Sequence, residues 1–255
     1  MLNEEPIAQR PSASALEAYV SHRKLTVLIG MPLAILVSAC WGVPGNGKRE
    51  RETRDHEGFI GIENHGELDV QVRRADDFRV VVSIDSNLLD NVKTRVRDDR
   101  LIIDNNINFT DVVRGPHVIV EMPELTFVEL SGSGDLDATR FDEGGTVRLE
   151  LSGSGDLQFE GSSPRIDAEL RGSGDLELAG TTDFIDIRLS GSGNVDARNL
   201  DAGEGRLRLD GSGDVAVTVH GEVDAEVNGS GDLDLFGDVD LKRSDEDGSG
   251  DIRVH

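Results

Sequence analysis

Seven copies of one short turn, Gly-Ser-Gly-Asp, repeat through the second half of the chain. Each copy offers a serine hydroxyl and, except for Asn194 in the fourth copy, a carboxylate. A serine beside a base can act as a nucleophile, and aligned carboxylates can hold a hard cation such as calcium. Carboxylates stacked about 5 Å apart repel by about 1 kcal/mol in water, which a cation would relieve. The copies begin at Gly132, Gly153, Gly172, Gly191, Gly211, Gly229 and Gly248.

The order of residues within the turn favours a structural role for the carboxylates over a dedicated calcium site. Calcium-binding nonapeptide repeats follow the pattern Gly-Gly-x-Gly-x-Asp-x-U-x. Here Asp135 follows Gly134 directly, and one turn occurs in about 19 residues. We therefore expect the carboxylates to cap backbone N–H groups at the corners, with weak calcium binding as the alternative.

Catalysis by the motif serines is not expected, because no base accompanies them in the sequence. The histidines after residue 40 are dispersed, so a triad or a zinc cluster would need long-range assembly. Active sites usually lie in unique loops, and the repeats contain no long irregular insertion. We expect no enzyme activity, no catalytic residue, no metal site and no cofactor. These histidines are His56, His65, His117, His220 and His255.

The spacing between copies is 21, 19, 19, 20, 18 and 19 residues, which predicts one structural unit stacked on itself. Positions two, four and six before the first glycine are apolar in the copies at Gly153, Gly172, Gly191 and Gly229. Positions four and six after it are apolar in those at Gly153, Gly172, Gly211 and Gly229, and mostly polar residues lie between the apolar ones. Alternation of this kind predicts strands whose even positions point inward. Each repeat is then a strand, a Gly-Ser-Gly corner, a second strand and a second turn, as in an all-β parallel β-helix (solenoid).

The same alternation places both corner glycines inside the coil. There a side chain would strike the opposite wall, and the corner would use the positive φ that glycine tolerates. The last copy differs, because Ser244 and Glu246 occupy the inward positions before Gly248. A polar last coil is expected to blunt an edge that could otherwise pair with another chain.

The N-terminal segment predicts export. A basic cluster, His22-Arg23-Lys24, precedes the apolar run from Leu25 to Val37, which is too short for a membrane span. Val37-Ser38-Ala39-Cys40 then resembles the lipobox of bacterial lipoproteins, in which the signal is cut after Ala39 and Cys40 receives the lipid, palmitate included. The resemblance implies a membrane anchor at Cys40, and Trp41 in place of Asp favours the outer membrane. An ordinary signal peptide or an uncleaved anchor with an incidental cysteine is the alternative.

Composition divides the chain into four parts. Residues 1–39 are the predicted signal peptide with an N-terminal extension, and residues 40–57 are polar and read as a flexible tether. Residues 58–125 contain alternating strand segments that predict irregular first coils, and residues 126–255 carry the regular repeat.

The net charge of −24 limits the partners of the protein. Such an acidic surface disfavours nucleic acid and anionic lipid as direct ligands, because both repel it. Divalent cations and basic partners are compatible with it. The simplest interpretation is a solvated surface that keeps an exported protein soluble.

The repeated Leu-x-Gly-Ser-Gly-Asp-Leu, preceded by a strand region that ends in Met-Pro-Glu-Leu, resembles the bacterial head GIN domain family of auto-transporter adhesins over about residues 59–255. The resemblance implies a right-handed parallel β-helix and a surface role that is adhesive or structural. We therefore expect an envelope lipoprotein that acts as a non-catalytic scaffold for adhesion to an unidentified protein or glycan. The alternatives are an accessory subunit that binds an envelope protein and a carbohydrate-active β-helix enzyme.

Overall fold

The computed structural model of the protein describes residues 42–112 and 115–255. These residues form an all-β structure of stacked parallel coils, so the prediction of a parallel β-helix is confirmed. The predicted signal segment, its cleavage residue Ala39 and the predicted lipid-attachment residue Cys40 lie outside the described residues. In the described part of the chain, no helix combines the length and the apolar character that a membrane span requires.

Most of the described chain is strand, and a short 3-10 helix spans Leu89–Asn91. The strands are β1 (Val43–Pro44), β2 (Arg49–Arg54), β3 (Gly61–Asn64), β4 (Asp69–Arg74), β5 (Arg79–Asp85), β6 (Val92–Arg97), β7 (Arg100–Asn105), β8 (Phe109–Thr110), β9 (His117–Met122), β10 (Phe127–Leu130), β11 (Leu136–Asp142), β12 (Thr146–Leu151), β13 (Leu157–Leu170), β14 (Leu176–Leu189), β15 (Val195–Leu209), β16 (Val215–Val219), β17 (Glu222–Val227), β18 (Leu233–Phe236), β19 (Asp240–Glu246) and β20 (Ile252–Val254).

The strands form two walls, which meet at the Gly-Ser-Gly-Asp corner. Sheet A consists, in spatial order, of β6, β7, β3, β10, β12, the C-terminal halves of β13, β14 and β15, then β17 and β19. Sheet B consists of β2, β5, β9, β4, β11, the N-terminal halves of β13 to β15, then β16, β18 and β20. Each of the three long strands therefore runs through its second turn and joins both walls.

Aliphatic side chains fill the space between the two sheets, as the alternation predicts. Leu149 pairs with Ala168, and Ala168 pairs with Ile187, so equivalent inward residues stack from coil to coil. All three are at most 2% exposed. Because parallel pairing in register repeats the same face in every coil, one continuous core runs through the coils of the repeat.

The corner glycines are required by the stacking of the coils. A Cβ placed on Gly153 would lie 1.9 Å from the carbonyl oxygen of Gly132, and one on Gly155 would lie 2.1 Å from that of Gly134. The obstacle is therefore the preceding coil and not the opposite wall, which corrects the first expectation. Among the described corner glycines only Gly248 has a positive φ, so the expected left-handed corner conformation is wrong for the others.

A hydrogen bond accompanies this close contact. The backbone N–H of each motif serine donates to the carbonyl oxygen of the first glycine in the preceding corner, as in Ser154 to Gly132 at 3.1 Å and Ser230 to Gly211 at 3.0 Å. The missing Cβ lets two backbones approach closely enough to make this bond. Glycine at the corner thus links one coil to the next.

The coils at the N-terminal end are not stacked in sequence order. In sheet A, β3 lies between β7 and β10, and in sheet B, β4 lies between β9 and β11. The coil of residues 61–74 is therefore inserted between the coil of residues 100–122 and that of residues 127–142. The intervening β5 and β6 run antiparallel to β9 and β7 and close this end.

The prediction of a flexible tether over residues 40–57 is wrong for the strands within it. β2 pairs antiparallel with β5 from Arg49–Asp85 to Arg54–Val80, and β1 pairs with β8. The Gly47 N–H also donates to the Asp85 carboxylate at 2.7 Å. A polar sequence can serve as an edge strand because its backbone bonds one neighbour while its charged side chains stay in solvent. Such charges also discourage pairing with another molecule.

We expect Gly193→Ala to lower the free energy of unfolding by about 2–4 kcal/mol, because its Cβ would lie 1.9 Å from the Gly174 carbonyl oxygen. Gly144→Ala is the matched control, since a Cβ there meets nothing within 4 Å and its φ is not positive. Urea denaturation of both variants measures the difference. Equal losses of unfolding free energy in the two variants would contradict the role of the corner glycines in stacking one coil on the next.

Candidate functional site

The motif carboxylates, which the sequence singles out, lie in one column along the corner. Each except the last, Asp251, accepts a hydrogen bond at Oδ1 from the backbone N–H of the equivalent residue in the next coil, over distances of 2.8–3.2 Å. The expectation that these carboxylates cap corner N–H groups is confirmed. The column, called the Asp ladder below, contains Asp69, Asp135, Asp156, Asp175, Asn194, Asp214, Asp232 and Asp251.

Sequence reasoning missed Asp69, the first member of the ladder. It follows Gly66-Glu67-Leu68, a degenerate corner in which Glu and Leu replace the serine and the second glycine. The Asp135 N–H donates to Asp69 across a separation of 66 residues, because the coil of residues 61–74 is inserted beside that of residues 127–142. The sequence marks this corner only by a glycine three residues before an aspartate, a pattern too common to identify a corner by itself.

Two features reduce repulsion along the ladder. Asn194 is neutral and donates its Nδ2–H to Asp175 Oδ1 at 3.1 Å, while its own Oδ1 accepts the Asp214 N–H. At the C-terminal end, Arg253 contacts Asp232 at 2.7 Å and Asp251 at 2.8 Å. The N–H bond from Asp251, followed by Arg253, lowers the pKa of Asp232. The ladder is thus a hydrogen-bonded support for the stack, and weak calcium binding to it stays a prediction.

The described histidines are directed to groups other than the motif serines. His220 contacts Asp201 at 2.8 Å and His255 contacts Asp234 at 2.7 Å. The motif serines are exposed at the corners. Nothing in residues 42–112 and 115–255 therefore places an imidazole in hydrogen-bond contact with a motif hydroxyl.

One set of potential metal ligands also escaped the sequence analysis. The ligand atoms of Glu63, His65 and Glu129 lie within 4.8 Å of one another on the outer face of sheet A. His65 Nε2 lies 3.5 Å from Glu63 Oε2 and 3.8 Å from Glu129 Oε1, while Arg100 holds the other Glu63 oxygen at 2.8 Å. One imidazole and two carboxylates are ligands that divalent transition metals accept. Glu63 and Glu129 meet only because β3 and β10 pair.

A second charged feature lies on the outer face of sheet A across the last coils. It is a depression of about 340 Å³, and a second depression of about 220 Å³ adjoins it and shares Arg206 and Asp224. We call the two together the arginine groove. Its charged lining residues are Asp186, Arg188, Glu204, Arg206, Arg208, Glu222, Asp224, Glu226, Lys242 and Arg243, and Phe184 lies at one side.

The arginine groove follows from register. Arg206 pairs with Asp186 in one neighbouring coil and with Asp224 in the other, and Arg208 pairs with Arg188 and Glu226. Outward positions are free to vary because they do not contact the core, so charges of both signs can alternate there. The groove combines guanidinium donors with carboxylate acceptors, which is chemistry for binding a polar ligand.

Comparison with known proteins agrees with this architecture. Residues 58–238 match the family model described as "Putative auto-transporter adhesin, head GIN domain". The chain belongs to this family. No curated protein matches the chain in sequence. The expected family resemblance is therefore confirmed, and the head GIN domain covers the inserted coil and most of the regular repeat.

Solved structures share the fold of this head GIN domain. A protein from Bacteroides fragilis described as a "putative adhesin" superposes with a TM-score of 0.80 at 19% identity, covering 84% of this chain and 100% of its own. A "putative adhesin" from Parabacteroides merdae gives 0.61 at 18% identity, with coverages of 84% and 98%. A "putative lipid binding protein" from Parabacteroides distasonis gives 0.62 at 22% identity, with coverages of 84% and 99%.

We expect Asp214→Ala to lower the free energy of unfolding by about 1 kcal/mol, because the Asp232 N–H loses its acceptor at 2.8 Å. Asp214→Asn is the matched control, since Asn194 shows that an amide oxygen accepts the same bond. It is expected to be neutral within about 0.5 kcal/mol. Chemical denaturation separates the two variants, and an equal effect of both would show that charge, not capping, matters here.

We expect Glu129→Gln to raise stability at neutral pH by up to about 0.5 kcal/mol. Burial, and then the nearby Glu63 carboxylate, raise the pKa of Glu129. The folded state thus binds this proton more readily than the unfolded state, so the charged form costs stability above the folded pKa and the cost is relieved as pH falls through it.

Urea denaturation at neutral pH and at about pH 4 checks this, because the gain from the substitution should shrink at the lower pH. Glu177→Gln, at an exposed outward position of sheet B, is the control. A gain that is as large at the lower pH as at the higher one would contradict the assignment.

Proposed function

We propose that this head GIN protein is a non-catalytic scaffold at the bacterial cell surface that mediates attachment through its outer faces. The main support is the structural role of the repeated Gly-Ser-Gly-Asp motif, whose aspartates hold the coils together through the Asp ladder. Membership of the adhesin-type family supports the same function. Binding is then left to the outward side chains of the sheets.

We further propose that a lipid on Cys40 anchors the scaffold to the outer membrane after cleavage behind Ala39. The support is the lipobox-like Val37-Ser38-Ala39-Cys40 and the Trp41 that follows it. Lipid chains anchor a protein without spanning the bilayer. In the proposed arrangement the β-helix projects from the membrane surface and presents its sheets to the surroundings.

Deletion of the gene tests the attachment function. We expect the deletion strain to lose attachment to its surface or host substrate, and complementation with the full-length chain to restore it. Unchanged attachment would refute the adhesion role. Incubation of the purified chain with envelope and host polysaccharides should give no turnover, and measurable cleavage would instead favour the carbohydrate-active alternative.

We expect Cys40→Ser to abolish incorporation of labelled palmitate and to release the protein from the membrane fraction. The reason is that no other cysteine exists in the chain to carry a thioether-linked lipid. Ser38→Ala is the control, because it keeps a small residue before the cut site. Labelling of the Cys40→Ser variant would contradict the anchor.

Protease treatment of intact cells then reports which way the anchored protein faces. Digestion is expected for an adhesin. Full protection would refute outward display and favour the accessory subunit that binds an envelope partner.

A further inference from the structure

We propose that the arginine groove binds an anionic sugar, a uronic acid residue whose carboxylate pairs with Arg206 and whose hydroxyl donates to Asp186. This inference rests on the proposed attachment function and assigns it a ligand class and a site. It concerns the outer face of sheet A in the coils of residues 184–243, away from the Asp ladder at the corner.

One of the two carboxylate oxygens of Asp186 lacks a donor. Its side chain is 1% exposed, and its Oδ2 accepts from Arg188 at 2.9 Å and from Arg165 at 3.3 Å. Its Oδ1 is buried and has no hydrogen-bond partner among the described residues. A buried carboxylate oxygen without a donor is costly, and because this one has less than 1 Å² of accessible surface, a ligand hydroxyl or N–H reaches it only when the side chains around it shift. Asp186 lines the larger depression of the groove.

Arg206 is a donor that lacks an acceptor. It lines both depressions, so it lies at the centre of the groove, and no ion pair or hydrogen bond involves its guanidinium in residues 42–112 and 115–255. Its neighbours are engaged, Arg208 with Glu226 at 2.6 Å and Arg243 with Asp245 at 2.5 Å. A free guanidinium presents a fork of N–H donors that matches a carboxylate in two parallel bonds.

The combination favours a sugar acid over an acidic peptide. A uronic acid carries a carboxylate and several hydroxyls on one rigid ring, which supplies the acceptor for Arg206 and the donor for Asp186 together. Arginine clusters recognise acidic peptides as well, but an acidic side chain brings a carboxylate without a hydroxyl beside it, whereas this groove offers carboxylate acceptors together with guanidinium donors. The half-buried Phe184, under the Arg165 guanidinium at 4.6 Å, adds one aromatic surface beside the groove.

The acidity of the whole chain does not prevent this binding. Charges farther away than about 8 Å are largely screened at physiological ionic strength, so the charges that line the groove decide. Arg165, Arg188, Arg206, Arg208, Lys242 and Arg243 lie in or beside the groove, out of 26 Lys and Arg residues in the chain. Five carboxylates also line the groove, so it is close to neutral on a protein of net charge −24, and Arg206 is the guanidinium in it that a sugar acid can pair with.

Titration calorimetry with trigalacturonate, in buffer containing EDTA to remove calcium, tests the proposal on the mature chain. We expect saturable binding whose affinity falls at least tenfold in Arg206→Ala. Arg206→Lys should recover only part of that affinity, because lysine keeps the positive charge and lacks the paired N–H donors of the guanidinium. Asp186→Asn should weaken binding as well. Arg148→Ala is the control, because Arg148 pairs with Glu150 on the same face outside the groove.

Two further probes distinguish the ligand classes. Neutral galactotriose lacks the carboxylate, and oligoglutamate has carboxylates without the sugar hydroxyls, so both should bind at least tenfold more weakly than trigalacturonate. No binding of trigalacturonate, an unchanged affinity in Arg206→Ala, or equal binding of oligoglutamate would each overturn the proposal. Arg206 is exposed and unpaired, so its variants should keep the thermal unfolding midpoint of the wild type.

The outcome is separable from that of the attachment function. Attachment that depends on the gene, together with no trigalacturonate binding by the wild-type protein, would remove the sugar site and leave the scaffold function. If the purified protein binds trigalacturonate but attachment of the cells does not depend on the gene, the sugar site stands and the attachment function is refuted.

Discussion

The structure depends on one repeated contact, in which the backbone of each corner lies directly against the backbone of the next. The carbonyl oxygen of Gly172 would be 2.0 Å from a Cβ on Gly191, so only glycine lets the two coils approach. The serine N–H then reaches the glycine carbonyl of the preceding coil. Because each coil is ordered only by its neighbours, this contact at the corner sets the register of both sheets.

The Asp ladder and the aliphatic core act on either side of this contact. Inside, stacked residues such as Leu170 and Leu189 remove apolar surface from water in every coil. Outside the corner, carboxylates such as Asp156 bond the N–H of the next coil. Both columns repeat, so a local change is felt by two neighbouring coils. The outward faces of the sheets are free of these requirements, which is why the charged arginine groove can form there.

The two ends of the stack are closed by different means. At the N-terminal end, the antiparallel strands β5 and β6 pair with the first coil, and the charged strands β2 and β6 form the two edges. At the C-terminal end, the last coil places Ser244 and Glu246 at inward positions, where they remain exposed. Polar groups at these positions make a poor template for another chain. Because both ends of the stack are closed in this way, the outer faces of the two sheets are the surfaces left for contact with other molecules.

The sequence alone determined the repeating part of this protein. Seven turns at a nearly constant spacing, with apolar residues at alternate positions, predicted the coils, the inward side chains of residues such as Leu149, and the capping aspartates. These properties are local and repeat in every coil, so the pattern of one strand contains them. The regular repeat and its family could therefore be recognised without coordinates.

Only the tertiary structure decided the features that join distant segments. The insertion of residues 61–74 between two later coils brings Glu63 next to Glu129 and Asp69 next to Asp135. No spacing in the sequence predicts this insertion. The strand β2 looks like a polar linker until β5 lies beside it. The arginine groove likewise arises from the register of four coils. Such contacts depend on which strands of the chain lie side by side, and this pairing is set by the free energy of the whole fold and not by any one segment.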